Sequence, residues 1–335
     1  MKLIVKFWYS KNPFLFLLLP FSYFYQFCFW VHKLSYILGF KKRYSSPVPL
    51  IVVGNLTVGG TGKTPFTIAL AKLLSEKGYT PGVVSRGYKG KIKKHPQIVT
   101  AQSDPAVVGD EAVLIFNKTN YPVVVAPQRA AAIKLLLANY NCDVIISDDG
   151  LQHHAINKDI EIVIVDGERK FGNGWCLPAG PLREPLRKLS KVDFIVYNDN
   201  SNVHRYSMSL LPQKVYNLVN PTLQKSLSQL PKTPFHVVAA IGHPERFFNT
   251  FRNLGYSPTL HSFADHHKFI DKDFDFCDVS EMVIMTEKDA VKCSYLKRSN
   301  FWVLPVASEI SAHFLKDFLI KLRRLDSPTL KTLEK

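Results

Sequence analysis

From residue 46 onward, apolar runs of strand length alternate with stretches whose apolar positions recur at helical spacing. The strand-like runs lie at 49–53, 82–85, 122–126, 143–147, 160–166 and 193–197, and the helical patterns at 63–77, 110–116 and 129–140. This alternation predicts an α/β fold, a doubly wound and mostly parallel sheet with helices on both faces. Between 199 and 234 the periodicity loosens, and Asn, Ser, Gln and Pro accumulate around a strand-like piece at 214–219. A second alternation follows, with strands at 235–241, 259–263, 282–286 and 301–305 and helices at 244–254 and 310–323. The expected division is an N-terminal segment 1–45, a first α/β domain 46–200, a connection 201–234, a smaller α/β domain 235–325 and a tail 326–335.

The first 45 residues follow another pattern. No Lys, Arg, Asp or Glu occurs between Lys11 and Lys33, and the interval holds Phe14, Phe16, Phe21, Tyr23, Phe24, Tyr25, Phe27, Phe29 and Trp30. Its length is near the roughly 20 residues that span a bilayer. Pro13 and Pro20 interrupt it, and its aromatics suit the headgroup boundary. It reads as an interfacial helix, a true span or a helix buried in the protein, and no small-residue cleavage site marks it as a removable leader.

The net charge of +16 sharpens this picture, because no acidic residue precedes Glu76 while Lys2, Lys6, Lys11, Lys33, Lys41, Lys42 and Arg43 fall in the first 50 residues. Such a basic chain suits anionic lipid, nucleic acid or a phosphorylated substrate, and the aromatic segment favours a membrane. The five cysteines form no C-x-x-C pair, which fits reduced thiols better than disulfides or a zinc site.

The strongest chemical signal follows the first strand. Thr57-Val58-Gly59-Gly60-Thr61-Gly62-Lys63-Thr64 sits between an apolar strand and an amphipathic helix, the arrangement of a P-loop for ATP and Mg²⁺. Glycines there let backbone N–H groups crowd phosphate oxygens at a helix N-terminus. Lys63 would reach the β/γ-phosphates and Thr64 would hold Mg²⁺; Thr57 stands where the first glycine of the usual pattern would be.

Asp148-Asp149 end the strand at 143–147, where ligands of doubly wound sheets bind and where a metal-holding aspartate of a P-loop protein belongs. Gln152, His153 and His154 follow as a polar wall; a zinc reading of the His pair lacks further ligands. Asp110 opens a helix, either as an N-cap-type residue or as a base that takes a hydroxyl proton. Asp265-His266-His267 reads equally as a base with its partner or as a surface turn. Arg86, Arg129, Arg183 and Arg187 stand on loops or helix starts after strands, suited to phosphate contact. The Gly- and Pro-rich stretch 166–185 has no periodicity and reads as a functional loop.

Taken together, residues 54–65, Ser85-Arg86-Gly87-Tyr88, Val108-Gly109-Asp110-Glu111, Asp148-Asp149-Gly150-Leu151-Gln152-His153, Leu177–Glu184 and Thr286-Glu287-Lys288-Asp289-Ala290 resemble, in order, the tetraacyldisaccharide 4′-kinase family of lipid A synthesis. The resemblance runs from the N-terminal segment to about residue 325. It implies transfer of the ATP γ-phosphate to the 4′-hydroxyl of an acylated glucosamine disaccharide 1-phosphate, giving lipid IV-A, at the cytoplasmic face of the bacterial inner membrane. It places phosphates and Mg²⁺ on Lys63 and Thr64, the metal environment on Asp148, Asp149 and Glu184, and site lining on Gln152 and His153. It also makes Asp110 the base, with His266 as its partner across the two domains, although His267 directly follows. Arg86, Arg129 and Arg183 would meet substrate. The expected partners are the lipid substrate and the membrane surface, without nucleic acid or an obligate protein partner.

The rivals fit less well. A P-loop switch or motor needs a guanine-reading N-K-x-D, yet Asn117-Lys118-Thr119-Asn120 lacks the aspartate and no transport-ATPase signature loop is present. A non-enzymatic membrane-binding module would leave the paired carboxylates and the Asp/His pair without a purpose.

Overall fold

The computed structural model describes residues 7–10, 13–88, 90, 95–199, 203–231 and 234–326; the expected tail from 327 on and a few positions of the expected connection lie outside them. A 3₁₀ turn over Pro13–Leu18 leads into helix α1 (Leu19–Ile37). The chain then runs through β1 (Leu50–Gly54), α2 (Lys63–Glu76), β2 (Pro81–Ser85), β3 (Gln97–Ile98), a short α3 (Pro105–Val108), α4 (Asp110–Thr119), β4 (Val123–Val125), α5 (Arg129–Asn139), β5 (Val144–Asp148), β6 (Ile160–Asp166), β7 (Phe194–Asn198) and β8 (Ser207–Pro212). The second half carries β9 (Val215–Asn217), β10 (Gln224–Lys225), β11 (His236–Ala239), α6 (Pro244–Asn253), β12 (Thr259–Ser262), β13 (Val283–Thr286), α7 (Glu287–Cys293), β14 (Phe301–Leu304), β15 (Val306–Ile310) and α8 (Ala312–Asp326).

Two sheets result. The larger has nine strands in the order β15-β8-β7-β6-β1-β5-β2-β4-β3, and the smaller has six in the order β10-β9-β14-β13-β11-β12. Their centres are parallel, and antiparallel pairs lie toward the edges, as helical crossovers require. Every residue of β1 is buried because helices cover both faces. Ile51 and Val53 face a core with Phe66, Leu70 and Leu74 of α2, while Leu50 and Val52 face Ile133 and Leu136 of α5. The i, i+4, i+8 spacing of Phe66, Leu70 and Leu74 puts them on one stripe, each contributing about 2 kcal/mol by burial. β1 lies between β5 and β6, so the loops after these three strands converge at the carboxyl edge.

The expected boundary at 235–325 does not follow the chain. β15 pairs with β8 in the larger sheet, and Phe314, Phe318 and Leu322 of α8 are buried in the first core. Phe314 meets Phe66 and Phe194 edge-on at 5.5 and 5.2 Å. The expected connection is likewise shared: β8 joins the larger sheet, and β9 and β10 the smaller. Local periodicity could not report this return, since an amphipathic helix reads alike on whichever sheet it packs.

Pro13–Ile37 is long and apolar enough to cross a membrane by length and composition, yet only 11% of its most apolar window is buried. A helix buried within the protein is therefore excluded. One side of it is attached to the loop of residues 171–185: Ser22 Oγ donates to the Cys176 carbonyl at 2.8 Å, and Tyr25 OH to that of Arg183 at 2.9 Å. Phe14, Leu17, Phe21, Tyr23, Phe24, Phe27 and Trp30 remain exposed.

Candidate active site

The loop between β1 and α2 wraps over the start of the helix. Gly59 and Gly62 hold φ of +107° and +94°, a region L side chains rarely adopt. Their neighbours fix the loop: Val58 N donates to Pro181 O at 2.8 Å, and the Asn198 amide to Thr61 O at 2.9 Å. The second domain closes the other side. Any Cβ on Gly242 would lie 2.6 Å from the Gly60 nitrogen, so the two backbones approach as only glycine permits.

Lys63 Nζ donates to Asn55 Oδ1 at 3.1 Å and lies 3.6 Å from Asp149. Asp149 follows β5 in a left-handed conformation, φ +48°, which turns its carboxylate into the cleft. Arg183 grips that carboxylate at 3.1 and 3.2 Å. Burial opposes ionisation of Asp149, but the charges of Lys63 and Arg183 prevail and hold it at about 2.

Asp148 points the other way, beneath α2. Its Oδ1 accepts from Thr67 Oγ1 at 3.0 Å, and its Oδ2 is buried with no hydrogen-bond partner. Burial, with the charges of Glu111 and Asp149 nearby, pushes Asp148 up to about 7. An orphaned carboxylate oxygen beside a second carboxylate suits a cation, and the hard oxygen donors of Asp148, Asp149 and Thr64 fit Mg²⁺. Glu184 is buried, bonded through Oε1 to Gln152 Nε2 at 3.1 Å, and raised in pKa chiefly by burial. Gln152 also donates to Asn55 O at 3.1 Å, so Glu184 braces the wall behind the carboxylates. His153 lines the cleft and is held at about 4 by burial and by Arg129, Lys158 and Arg86; it is neutral at pH 7.

Across the cleft, Asp110 opens α4 and Gly109 precedes it at φ +93°. His266 Nδ1 lies 2.9 Å from Asp110 Oδ2 and 3.1 Å from Oδ1, joining the two domains. His267 instead turns into its own domain, bonding Asp273 at 2.9 Å and stacking on Phe263. Of the two adjacent histidines, His266 is thus the one paired with Asp110. Its φ of +61° aims the ring at the first domain. Burial would raise Asp110, but the His266 hydrogen bond and the charge of Lys288 outweigh it and keep the carboxyl ionised.

Lys63, Thr64, Asp149, Gln152, His153, Arg183 and His266 line one cleft of about 1990 Å³, and Asp110, Asp148 and Glu184 are buried outside its lining. Arg86 stands exposed at its rim. Arg129 is different. It is 2% exposed, and its guanidinium donates to Asp148 O at 2.9 Å, Ser147 Oγ and Ala126 O at 3.3 Å, and Asp149 O at 3.4 Å. That engagement supports the carboxylate turn from behind, and Arg129 also borders the cleft. Thr57 is also buried, bridged to Leu182, and takes no place in the cleft lining.

Sequence reasoning missed Asn55, Thr67, Asn198 and Lys288. Thr67 stands one helical turn after Lys63, and its inward hydroxyl was the available signal. Asn198 ends β7 beside the P-loop, and only the strand order brings it there.

Comparison with known proteins bears on this geometry. The family model described as tetraacyldisaccharide-1-P 4′-kinase matches residues 14–323. The tetraacyldisaccharide 4′-kinase of Nitrosococcus oceani is 46% identical over 312 residues, covering 93% of this chain and 92% of that one. The enzyme of that name from Coxiella burnetii strain RSA 331 is 44% identical over 314 residues, covering 93% of each. Among solved structures, the "apo" form of LpxK from Aquifex aeolicus in complex with ATP superposes with a TM-score of 0.77 at 28% identity, covering 93% of this chain and 99% of that one.

Proposed function

The chain belongs to the tetraacyldisaccharide 4′-kinase family, and on that premise we propose that it transfers the ATP γ-phosphate to the 4′-hydroxyl of a tetraacylated glucosamine disaccharide 1-phosphate, yielding lipid IV-A. The observation that carries this reading is a cleft lined by Lys63, Asp149, Arg183 and His266, with the buried Asp110 2.9 Å behind the His266 ring.

The backbone of residues 58–62 and the Lys63 ammonium bind the β- and γ-phosphates. Thr64, Asp148 and Asp149, with Glu184 behind them, would hold Mg²⁺, which would supply neutralisation of phosphate charge. Asp110 accepts the 4′-hydroxyl proton as that oxygen bonds to the γ-phosphorus. The bond from phosphorus to the β–γ bridging oxygen breaks, and ADP leaves with the electron pair. Arg86 and Arg183 offer planar forks to phosphate oxygens.

The exposed aromatic face of α1 supports a seat for the enzyme in the membrane interface, on the cytoplasmic leaflet. Ser22 and Tyr25 tie the opposite side of α1 to the folded domain. A helix so tied could span a bilayer only by releasing those bonds, which favours the interfacial arrangement.

Transfer of labelled γ-phosphate to tetraacyldisaccharide 1-phosphate in detergent micelles tests the reading. Asp110→Ala is expected to lose roughly 10²-fold or more in kcat. Full activity in that variant would remove Asp110 as base, and no transfer by folded, ATP-binding wild type would return the switch or motor reading.

A further inference from the structure

The segment Thr286–Ala290 is the sequence block to which the phosphotransfer reading gives no role. It opens α7, where Thr286 Oγ1 accepts from Asp289 N at 3.2 Å. Asp289 is buried and accepts from Thr286 Oγ1 at 2.7 Å and from Ala240 N at 3.0 Å. This knot sets the direction of Lys288, which leaves its own domain and reaches α4. Its ammonium donates to Glu111 Oε1 at 2.8 Å, lies 3.7 Å from Asp265 Oδ1, and stands 3.2 Å from His266 Nε2.

That last contact determines a proton position. An ammonium carries donors and no acceptor, so Nε2 presents its lone pair to Lys288. The ionised Asp110 carboxylate accepts from Nδ1 on the other side of the ring. The imidazole is therefore neutral and protonated at Nδ1.

We propose that Lys288 is a positioning residue that fixes His266 as the neutral Nδ1–H tautomer, leaving Asp110 as the group that takes the acceptor proton; the catalytic part of this rests on the reading of Asp110 as base. The groups facing His266 are Asp110 and Glu111 from α4, Lys288 from α7, the adjacent Asp265 and the Tyr88 ring at 5.3 Å; Lys292 adds its charge near Asp110. Burial works against the Lys288 charge, but the surrounding carboxylates of Glu111, Asp110 and Asp265 raise its pKa well above the ordinary lysine value. Without that ammonium, Asp265 Oδ1, 3.7 Å from Nε2, becomes an acceptor for an Nε2–H. His266 would then become an imidazolium between two carboxylates. Asp110 would be locked in an ion pair and weakened as a base.

The test is ¹⁵N NMR of the full chain in detergent with labelled histidine, His266 being assigned by its loss in His266→Gln. At pH 7.5 wild type is expected to show a protonated Nδ1 and an unprotonated Nε2 with widely separated shifts. In Lys288→Met the two shifts should converge, kcat should fall about tenfold with KM for ATP within about twofold, and the acid limb of the rate profile should move to higher pH. Lys288→Arg should restore all three. Glu111→Gln, which removes the inter-domain ion pair and leaves the ammonium beside Nε2, should keep the wild-type tautomer. A wild-type ring protonated at Nε2, or unchanged His266 signals in Lys288→Met, overturns the proposal; the first does not depend on the folding of Lys288→Met. An active Asp110→Ala would remove the base and leave the tautomer measurement standing.

Discussion

Replacing Arg129 by Met separates support of the site from contact with substrate. The guanidinium is 2% exposed, and it donates to two backbone carbonyls of the Asp148–Asp149 turn as well as to Ser147 Oγ and Ala126 O. Burial brings Arg129 down to about 10, so it is charged at pH 7. Hydrogen bonds from a charged donor contribute about 1.5–3 kcal/mol each. Part of that gain is offset by the desolvation of the cation, which Met does not require. The net loss is about 3 kcal/mol, a fall in Tm on the order of 4 °C for a chain of this size. The Asp149 carbonyl, left without its donor, lets the left-handed turn relax, and the carboxylate moves away from Lys63. Scanning fluorimetry and steady-state kinetics should therefore show a lower Tm and at least a tenfold loss in kcat, roughly the effect of misplacing one electrostatic group. KM for the lipid acceptor should change little. A Tm within 1 °C or so of wild type, combined with a selective rise in acceptor KM, would refute this reasoning and return Arg129 to the substrate-contacting role.

Three further expectations test other parts of the molecule. Gly62→Ala puts a Cβ at φ +94° against the Asn198 amide and the Met208 methyl, so ATP affinity by calorimetry should fall at least tenfold, the cost of about 1.4 kcal/mol of strain; unchanged affinity would mean the loop adapts freely. Asp166 is opposed by burial, but His243, Arg169 and Arg246 depress its pKa well below the carboxylate range. Its contribution is present above about pH 4, the unfolded value, and disappears as pH falls toward the folded one, so the Tm deficit of Asp166→Asn should be largest at pH 5–8 and shrink at pH 3; a deficit growing toward acid would reverse the sign. Replacing Phe24, Phe27 and Trp30 together by Ser should reduce sedimentation with anionic vesicles at least tenfold, since each exposed ring carries roughly 1.5 kcal/mol of apolar burial. Equal binding would show that another surface docks.

The sequence made the P-loop and the β5 carboxylates legible because each is local: a strand, a turn and a helix start set by a few adjacent residues. The Asp110–His266 pair was legible only through family resemblance, as 156 positions separate the two residues and no periodicity links them. The resemblance named His266 over the adjacent His267, but the residue types alone could not choose between them. The choice depends on one left-handed residue and on Asp273 taking the other ring. Arg129 was ambiguous for a related reason. An arginine at a helix start after a strand suits phosphate contact and carbonyl bracing equally, and burial, which decides between them, belongs to the packed molecule. The C-terminal pieces failed on connectivity: β15 and α8 have the right local pattern, but their place in the larger sheet is set by pairing with β8.

The site is built by three parts of the chain that do not touch in sequence, and this gives the irregular stretch 171–185 its physical reason. Arg183 sits on that stretch and must hold Asp149 at hydrogen-bond distance, yet the loop has no helix or strand of its own to fix it. Its rigidity comes from outside. Trp8 Nε1 donates to Pro178 O at 3.0 Å, Asn173 N to Trp8 O at 2.9 Å, and Ser22 and Tyr25 to the carbonyls of Cys176 and Arg183. The N-terminal segment therefore satisfies backbone groups that a Gly- and Pro-rich loop would otherwise leave to water. On the far side the second domain does the same for the P-loop and α4 through Gly242 and Lys288. The aromatic face of α1 is directed outward while its other side grips the loop, so the helix that carries the exposed aromatics also steadies the element that carries Arg183. Tyr25→Phe isolates this link: it deletes the donor to Arg183 O and leaves the apolar face intact. It should lower kcat several-fold, about 1 kcal/mol in the barrier, without reducing vesicle binding, and a loss of binding with normal turnover would break the connection drawn here between the anchor and the loop.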